Sequence, residues 1–349
     1  MSYPTYLIVV GTSAGGMSAL VQLVAQLPAT LPAAVLVVQH FAPDSDGQYL
    51  LDRLARHTSL DCRLPTRSEP LRAGALYLAP PDSHLLAKGG SEPHLLVTKG
   101  PHENNYRPAA DALFRSAAVA YGPRTVGVVL TGMLHDGTAG LECVKRCGGV
   151  AIVQDPQEAE YPSMPETALR NVDVDYVVSL ALMGALLVEL TADTMSDHTV
   201  RATIPVGLKH EASIAERVVG TVEEVDQIGH LVPITCPNCG GNLWEMNEGR
   251  VLRYRCHTGH AFTADALLRH SQQTLEESLW VALRMLEERK SLLGGMAARG
   301  ESHYAAQQEE RITEIRKHIN RLREFLLDGG DGSSGATGAM PENLTGPRH

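Results

Sequence analysis

Short apolar runs, each the length of a buried strand, recur through the first half of the chain and are separated by segments of helical periodicity. Leu7–Val10 is followed by Met17–Leu27, in which Leu20, Leu23, Val24 and Leu27 share one helical face; Val35–Val38, Thr125–Leu130 and Val150–Val153 continue the series. A strand that is apolar at every position needs cover on both faces. The alternation therefore predicts an α/β fold, a doubly wound parallel sheet with helices on either side. Ligands of such a sheet bind outside the carboxyl ends of its strands. Leu76–Ala79 and His94–Thr98, on either side of Gly89-Gly90, are expected to form a hairpin inserted into this unit.

Composition removes several classes of function. At 349 residues the chain has room for two or three folding units, and 44% hydrophobic with 20% charged residues excludes a disordered chain. A formal net charge of −10 argues against a nucleic-acid partner. No Asp, Glu, Lys or Arg precedes Asp44, but Gly11, Gly15, Gly16, Pro28, Pro32 and Gln39 cut that stretch into pieces too short to span a bilayer. Tyr176–Val188 is also too short, so no membrane insertion is expected. The first ten residues lack a basic segment before their apolar run, and no export is expected. Of six cysteines, Cys62, Cys143 and Cys147 are scattered, which fits a reducing, cytoplasmic compartment rather than a disulfide framework.

After about residue 192 the periodic pattern weakens. Residues 193–232 read as a linker with a short helix around Glu211–Val219, and residues 233–262 as a compact Cys/Gly/Trp/His-rich module. Over 263–327, Leu275, Leu279, Ala282, Leu286 and Leu293, then Ile312, Ile315, Ile319, Leu322 and Leu326, keep an apolar seam on each of two helices. The first is expected to break at Gly294-Gly295. An antiparallel hairpin within the chain, or a coil between two copies in a homodimer, follows from this pattern. Residues 328–349 read as a disordered tail.

Gly11-Thr-Ser-Ala-Gly-Gly16 lies between the first strand and the first helix, where backbone N–H groups and the positive end of the helix dipole converge. Three readings are open: a packing turn, a dinucleotide-binding loop, or a nucleophile turn of the G-x-S-x-G kind. The dinucleotide reading wants a glycine where Ser13 stands and an acidic residue where the next strand ends in Gln39-His40. The nucleophile reading needs an imidazole base oriented by a carboxylate. His40 closes the second strand, and Asp136 follows another apolar strand in Leu130-Thr-Gly-Met-Leu-His-Asp136, so a parallel sheet brings Ser13, His40 and Asp136 to one edge. The order Ser…His…Asp differs from that of α/β-hydrolases. His57, His84 and His102 are read as surface or structural residues. Asp111 and Arg115 are read as a solvated helix face or a local ion pair, and Met164 as a cleft wall or core residue.

These residues resemble the catalytic domain of the chemotaxis protein-glutamate methylesterases, the CheB type, over about residues 5–190. The resemblance is carried by GTSAGG at 11–16, VVQHF at 37–41, LYLAPPDSHLL at 76–86, YRPAADALFRSAA at 106–118, VVLTGMLHDGTAG at 128–140 and VQDPQEAEYPSMPETAL at 153–169. It implies Ser13 as nucleophile, His40 as general base, Asp136 as its orienting carboxylate and the N–H of Met133 in the oxyanion hole, with no cofactor for catalysis. The implied substrate is a glutamate methyl ester on a methylated chemoreceptor or related signalling protein, with glutamine deamidation as a further activity. In the chemotaxis enzymes a receiver domain precedes this unit, whereas here the catalytic strand begins within ten residues of Met1, so control by a receiver is not expected. Leu134, followed by His135, stands where the family commonly has a small residue after the Gly-Met pair, which bears on the loop's shape and so on substrate choice. A catalytically idle scaffold on the same fold is the second reading; losing a triad residue would favour it, and none is lost.

Cys236-Pro-Asn-Cys239, a 16-residue interval and Cys256-His-Thr-Gly-His260 have the spacing of two zinc knuckles. Cys236, Cys239, Cys256 and His260 are the expected ligands of a structural Zn²⁺ in a zinc-ribbon-like module, with His257 an alternative fourth ligand. Because the triad lies before the linker and the metal ligands after it, the halves are expected to work independently, with catalysis surviving truncation near Asp193.

Overall fold

All seven residues of Tyr6–Thr12 (β1) are buried, as are all seven of Ala33–Gln39 (β2). Such strands are stable only inside a sheet covered on both faces. The computed structural model, which describes residues 2–41, 45–192, 203–299 and 302–328, has that arrangement. Asp61–Arg63 (β3), Glu69–Pro70 (β4), Ala75–Leu78 (β5), His84–Lys88 (β6), His94–Thr98 (β7), Thr125–Val129 (β8), Val150–Gln154 (β9) and Tyr176–Val178 (β10) complete the first part. Seven of these form one sheet in the order β10-β9-β8-β1-β2-β5-β3, every pair parallel.

The two-residue period of β1 sorts its side chains between two cores. Leu7 and Val9 point to one face, with Leu113 and Phe114 of helix Ala110–Tyr121, Leu141 and Val144 of Thr138–Arg146, and Met164 of Ser163–Asn171. Ile8 and Val10 point to the other, with Leu20 and Leu23 of Gly16–Val24, Leu50 and Leu54 of Gly47–Ala55, and Met183 and Leu187 of Leu180–Ala192. In chain order these helices are α1 (Gly16–Val24), α2 (Gly47–Ala55), α3 (Ala110–Tyr121), α4 (Thr138–Arg146), α5 (Ser163–Asn171) and α6 (Leu180–Ala192). Strand order reverses about β1, so the edge above β1, β2 and β8 is the crevice where this class of sheet binds ligands.

The inserted hairpin differs from expectation. Ala75–Leu78 joins the large sheet between β2 and β3, since all four of its residues are buried, and the strand that turns at Gly89-Gly90 onto β7 is β6, with Lys88 opposite His94. The expected linker also has more structure than its composition suggests. Residues 193–202 lie outside the described residues, but Val206–Arg217 (α7) and Val222–Asp226 (α8) are helical, and α8 opens on a capping box between Thr221 and Glu224. The next strand starts at Gly229, before Pro233. Gly229–Thr235 (β11), Asn242–Met246 (β12), Arg253–Cys256 (β13) and Ala261–Thr263 (β14) form a four-stranded antiparallel sheet in that order.

Residues 1–268 form one compact unit, so β11–β14 belong with the large sheet, and residues from Arg269 form a second. Buried charges join β13 and α7 to α3: Glu211 accepts from both Nη atoms of Arg253 at 2.8 and 3.2 Å and lies 3.3 Å from Arg115, while Arg115 donates to Glu103 at 2.5 Å. Arg255 lies between Glu103 and Glu211. Glu142 on α4 accepts the N–H groups of Arg250 and Val251.

Ala264–Ala297 (α9), of which the residues from Arg269 belong to the second unit, passes through Gly294-Gly295 without breaking and ends just beyond, and Ser302–Asp328 (α10) follows. Leu283, Leu286 and Leu293 meet Ile312, Ile315, Ile319, Leu322 and Leu326, so the seam closes within the chain rather than needing a second copy. Leu275 is exposed and Leu283 takes the place expected for Ala282. Of the expected tail, residues 328–349, Asp328 closes α10 and the rest lies outside the described residues. Among the described residues no helix is long and apolar enough to cross a membrane.

Candidate active site

Parallel pairing brings the first two candidate residues together. Thr12 is opposite Gln39, and the N–H of His40 donates to Thr12 O at 3.2 Å, so Ser13 and His40 leave neighbouring strands at the same level. Gln39 Nε2 ties them by donating to the carbonyls of both Ser13 and His40, at 2.8 and 3.0 Å. Gly15 (φ 75°) turns the chain in the left-handed region so that α1 can begin at Gly16 with Ser13 just before it. On the other flank, Thr131 O accepts both Ser13 N–H and Thr12 Oγ1–H, which clamps the end of β8 against the turn.

Asp136 arrives on the loop after β8 and is buried. Its Oδ2 lies 2.8 Å from His40 Nε2 and accepts Ala110 N–H at 2.6 Å, while Oδ1 accepts Asp111 N–H at 3.2 Å and Asn104 Nδ2–H at 3.3 Å. Two of these donors are first-turn N–H groups of α3, where a negative charge is favoured. Burial works against a charge on Asp136, yet the hydrogen bond and charge of His40 and the N–H groups of Ala110 and Asp111 hold its carboxyl below the ordinary carboxylate range. An ionised Asp136 fixes the imidazole tautomer with its proton on Nε2, leaving the lone pair on Nδ1. His40 Nδ1 is buried with no hydrogen-bond partner among the described residues. The ring is held flat by Tyr106, stacked at a centroid distance of 3.8 Å and 8° from parallel.

The loop carrying Met133 is braced from below. Gly132 N–H donates to Tyr161 O at 2.9 Å, Met164 N–H to Gly132 O at 3.0 Å, and Ser163 Oγ–H to Leu134 O at 3.1 Å. A side chain at Gly132 would collide with Met164 Sδ and come within 3.0 Å of Ser13 Cβ, so glycine is what lets this loop run against the serine. The N–H groups of Met133 and Ala14 have no acceptor among the described residues. A half-buried serine, a buried imidazole with one free lone pair, a buried carboxylate and two free N–H groups can together support acyl transfer.

Comparison with known proteins identifies a family. Residues 8–187 match the CheB methylesterase family. The chain belongs to that family. A Koribacter versatilis protein-glutamate methylesterase/protein-glutamine glutaminase is 34% identical over 55% of this chain and 53% of its own length, and a Photorhabdus laumondii protein of the corresponding name is 36% identical over 51% of each chain. This chain thus spans about half the length of those two relatives. A Leptospira interrogans protein bearing that name provisionally is 35% identical over 54% of this chain and 96% of its own length. The crystal structure of the Thermotoga maritima CheB methylesterase catalytic domain superposes with a TM-score of 0.52 at 33% identity, covering 54% of this chain and all of that one. CheB methylesterases are carboxylic ester hydrolases, and their catalysis needs no cofactor.

Several residues of this CheB methylesterase have roles that their local sequence does not disclose. Asp111 and Arg115 are buried rather than on a solvated face: Asp111 accepts Gly140 N–H at 2.6 Å and Asn104 Nδ2–H at 2.7 Å, and burial beside Asp136 pushes it up to about 7. Asn104 lies outside every family segment, two residues before the one that begins at Tyr106, whereas Thr131 lies within the 128–140 segment but nothing in its residue type singles it out. His84 is a structural residue, buried, bonded to Pro101 O and Ala109 N, and lowered by burial. Met164 is a core residue under Gly132.

The cysteine cluster forms where β12 and β13 pair Leu243 with Cys256, which sets the first knuckle beside the second. Cys236, Cys239, Cys256 and His260 each bring a donor atom within 4.8 Å of the others. His257 is not among these four, and its ring lies edge-on to Trp244, with centroids 6.4 Å apart. Cys239 Sγ is 3.8 Å from Cys256 Sγ, and Cys256 Sγ is 3.6 Å from His260 Nδ1. Two thiolates on a tetrahedral Zn²⁺ with bonds of about 2.3 Å stand about 3.8 Å apart, so the donor set fits that ion.

Proposed function

We propose that this CheB methylesterase hydrolyses glutamate methyl esters through Ser13, His40 and Asp136. The observation that carries the reading is the nearly enclosed His40 side chain, fixed by Asp136 on one nitrogen and open on the other, at the strand end beside Ser13. In this mechanism His40 Nδ1 takes the Ser13 hydroxyl proton as Oγ attacks the ester carbonyl. The oxyanion that forms is met by the N–H groups of Met133 and Ala14. Methanol leaves with the proton returned by His40, and water, activated by the same nitrogen, frees the glutamate. A glutamine side chain passes through the same acyl-enzyme with ammonia as the leaving group. The substrate class is a methylated chemoreceptor or related signalling protein on the cytoplasmic side. The intact constellation argues against an idle scaffold. Incubation with a methylated receptor preparation is expected to release methanol in step with new carboxylates; no release from any methylated glutamyl substrate would overturn the reading.

The cluster of Cys236, Cys239, Cys256 and His260 is assigned to structural Zn²⁺. Four protein ligands leave no open position, so the ion supplies folding energy to the small sheet and no chemistry to the ester. Thr258 Oγ1, 3.1 Å from Cys239 Sγ and 2.8 Å from Cys256 Sγ, would orient the thiolates. Elemental analysis of unchelated protein is expected to find about one Zn²⁺ per chain, and Cys239→Ser is expected to lower that content. Metal-free protein with intact β11–β14 would remove the assignment.

A further inference from the structure

We infer that the sheet of β11–β14 acts on the catalytic centre through Asn104, a positioning residue for Asp136; this rests on the triad reading above. Asn104 is buried, with its backbone in the left-handed region at φ 52°. Its main chain is held by the small sheet, since its N–H donates to Ala261 O at 2.8 Å. So is one end of its side chain: the N–H of Thr263 donates to Asn104 Oδ1 at 2.9 Å. The other end serves the catalytic edge, where Nδ2 donates to Asp111 Oδ2 at 2.7 Å and Asp136 Oδ1 at 3.3 Å.

A primary amide is nearly symmetric in shape, and its two ends differ only in donor and acceptor character. Flipped, Asn104 would set its carbonyl oxygen against two buried carboxyl groups and leave Asp136 without one of its four donors. Thr263 N–H is the group that makes the flipped state unfavourable, because it too would then face a donor. The backbone of β14 thus selects the amide orientation that supports Asp136. Neighbouring contacts keep β14 there: Glu103 bridges to Ala261 and pairs with Arg115, and Arg253 of β13 is opposite Thr263. His260, the last of the four metal-site residues, immediately precedes β14. The two halves of the chain are therefore not independent, contrary to the expectation from motif positions alone.

The test uses the full chain and an alkyl fluorophosphonate, which Ser13 Oγ attacks at phosphorus with loss of fluoride while the hydroxyl proton passes to His40. Asn104→Ala is expected to slow labelling of Ser13 about 10- to 100-fold, the scale of a lost hydrogen bond to a charged group. The loss should fall on the saturating rate and not on the half-saturating concentration, since the probe does not reach Asn104. Thr263→Pro removes the N–H that holds Oδ1, together with the side-chain cap of α9 and the freedom of φ at this position, and it should slow labelling by a similar factor. The double variant should be no slower than the slower single by more than about threefold, because both act through one contact. Hydrogen exchange should show the Thr263 amide losing protection in Asn104→Ala, a readout that stands even if Thr263→Pro does not fold. Wild-type labelling in Asn104→Ala, multiplicative losses in the double variant, or an unchanged Thr263 amide would each overturn the inference alone. A wild-type chain whose Ser13 does not react would overturn the triad reading and this one with it.

Discussion

Ser13→Ala is expected to abolish methanol release, lowering kcat by on the order of 10⁴ or more, while the far-ultraviolet circular dichroism and melting temperature stay at wild-type values. The size follows from the way a nucleophile and its base act as one unit: without Oγ there is no acyl-enzyme, and the remaining N–H groups and bound substrate give only residual catalysis. The fold should be indifferent, since the turn is held by Ser13 N–H on Thr131 O and by Gln39 on Ser13 O, both main-chain contacts that alanine keeps. Methanol release by Ser13→Ala at the wild-type rate would mean that the serine at this strand end is not the nucleophile.

For stability, the largest effect is expected at Glu211. Its carboxylate is enclosed by Arg115, Arg253 and Arg255, and Glu211→Ala leaves Arg115 and Arg255 sharing Glu103 and takes from the buried Arg253 the carboxylate it pairs with. Removing one partner of a buried pair costs about 3–5 kcal/mol, because the remaining charge is neither solvated nor paired. The midpoint of urea unfolding should fall accordingly, and a loss below about 1 kcal/mol would show that the arginines find other partners. Burial alone would raise the Glu211 pKa, but the three arginines hold it down to about 2, against 4.5 for an ordinary glutamate. A depressed carboxyl contributes stability above its unfolded value and loses it as pH falls, so the wild type should lose this contribution between about pH 4.5 and 2, and Glu211→Ala should not. Asp111, raised to about 7, works in the opposite sense: its contribution is present below about pH 4 and fades as pH rises through 7.

Much of this was legible in the chain itself, because the determining signals are local. The run Tyr6–Thr12 is apolar on both faces, which requires a covered parallel strand, and Ser13, His40 and Asp136 each follow such a strand within a few residues. Parallel pairing then brings them to one edge whatever the details of the loops. The Cys/His spacing is equally local, since a knuckle is a turn of a few residues. The hairpin partner of His94–Thr98 is not legible in the same way, because Ala75–Leu78 and His84–Lys88 are both apolar and only the room left beside β2 distinguishes a sheet strand from an inserted one.

Local signals define the parallel sheet, the strand edge that gathers Ser13, His40 and Asp136, and the Cys/His spacing up to the choice between His257 and His260, because the length of apolar runs and the spacing of ligand-type residues suffice for these. The docking of whole elements settles the rest: His260 rather than His257 brings a ring nitrogen close to the three cysteines, Asp111 and Arg115 face inward, and Asn104, 159 positions away from Thr263, links the small sheet to Asp136. The physical reason is that burial and hydrogen-bond partners at that separation depend on how whole elements dock, and a charged residue on a helix looks the same in sequence whether it meets water or a buried counter-charge.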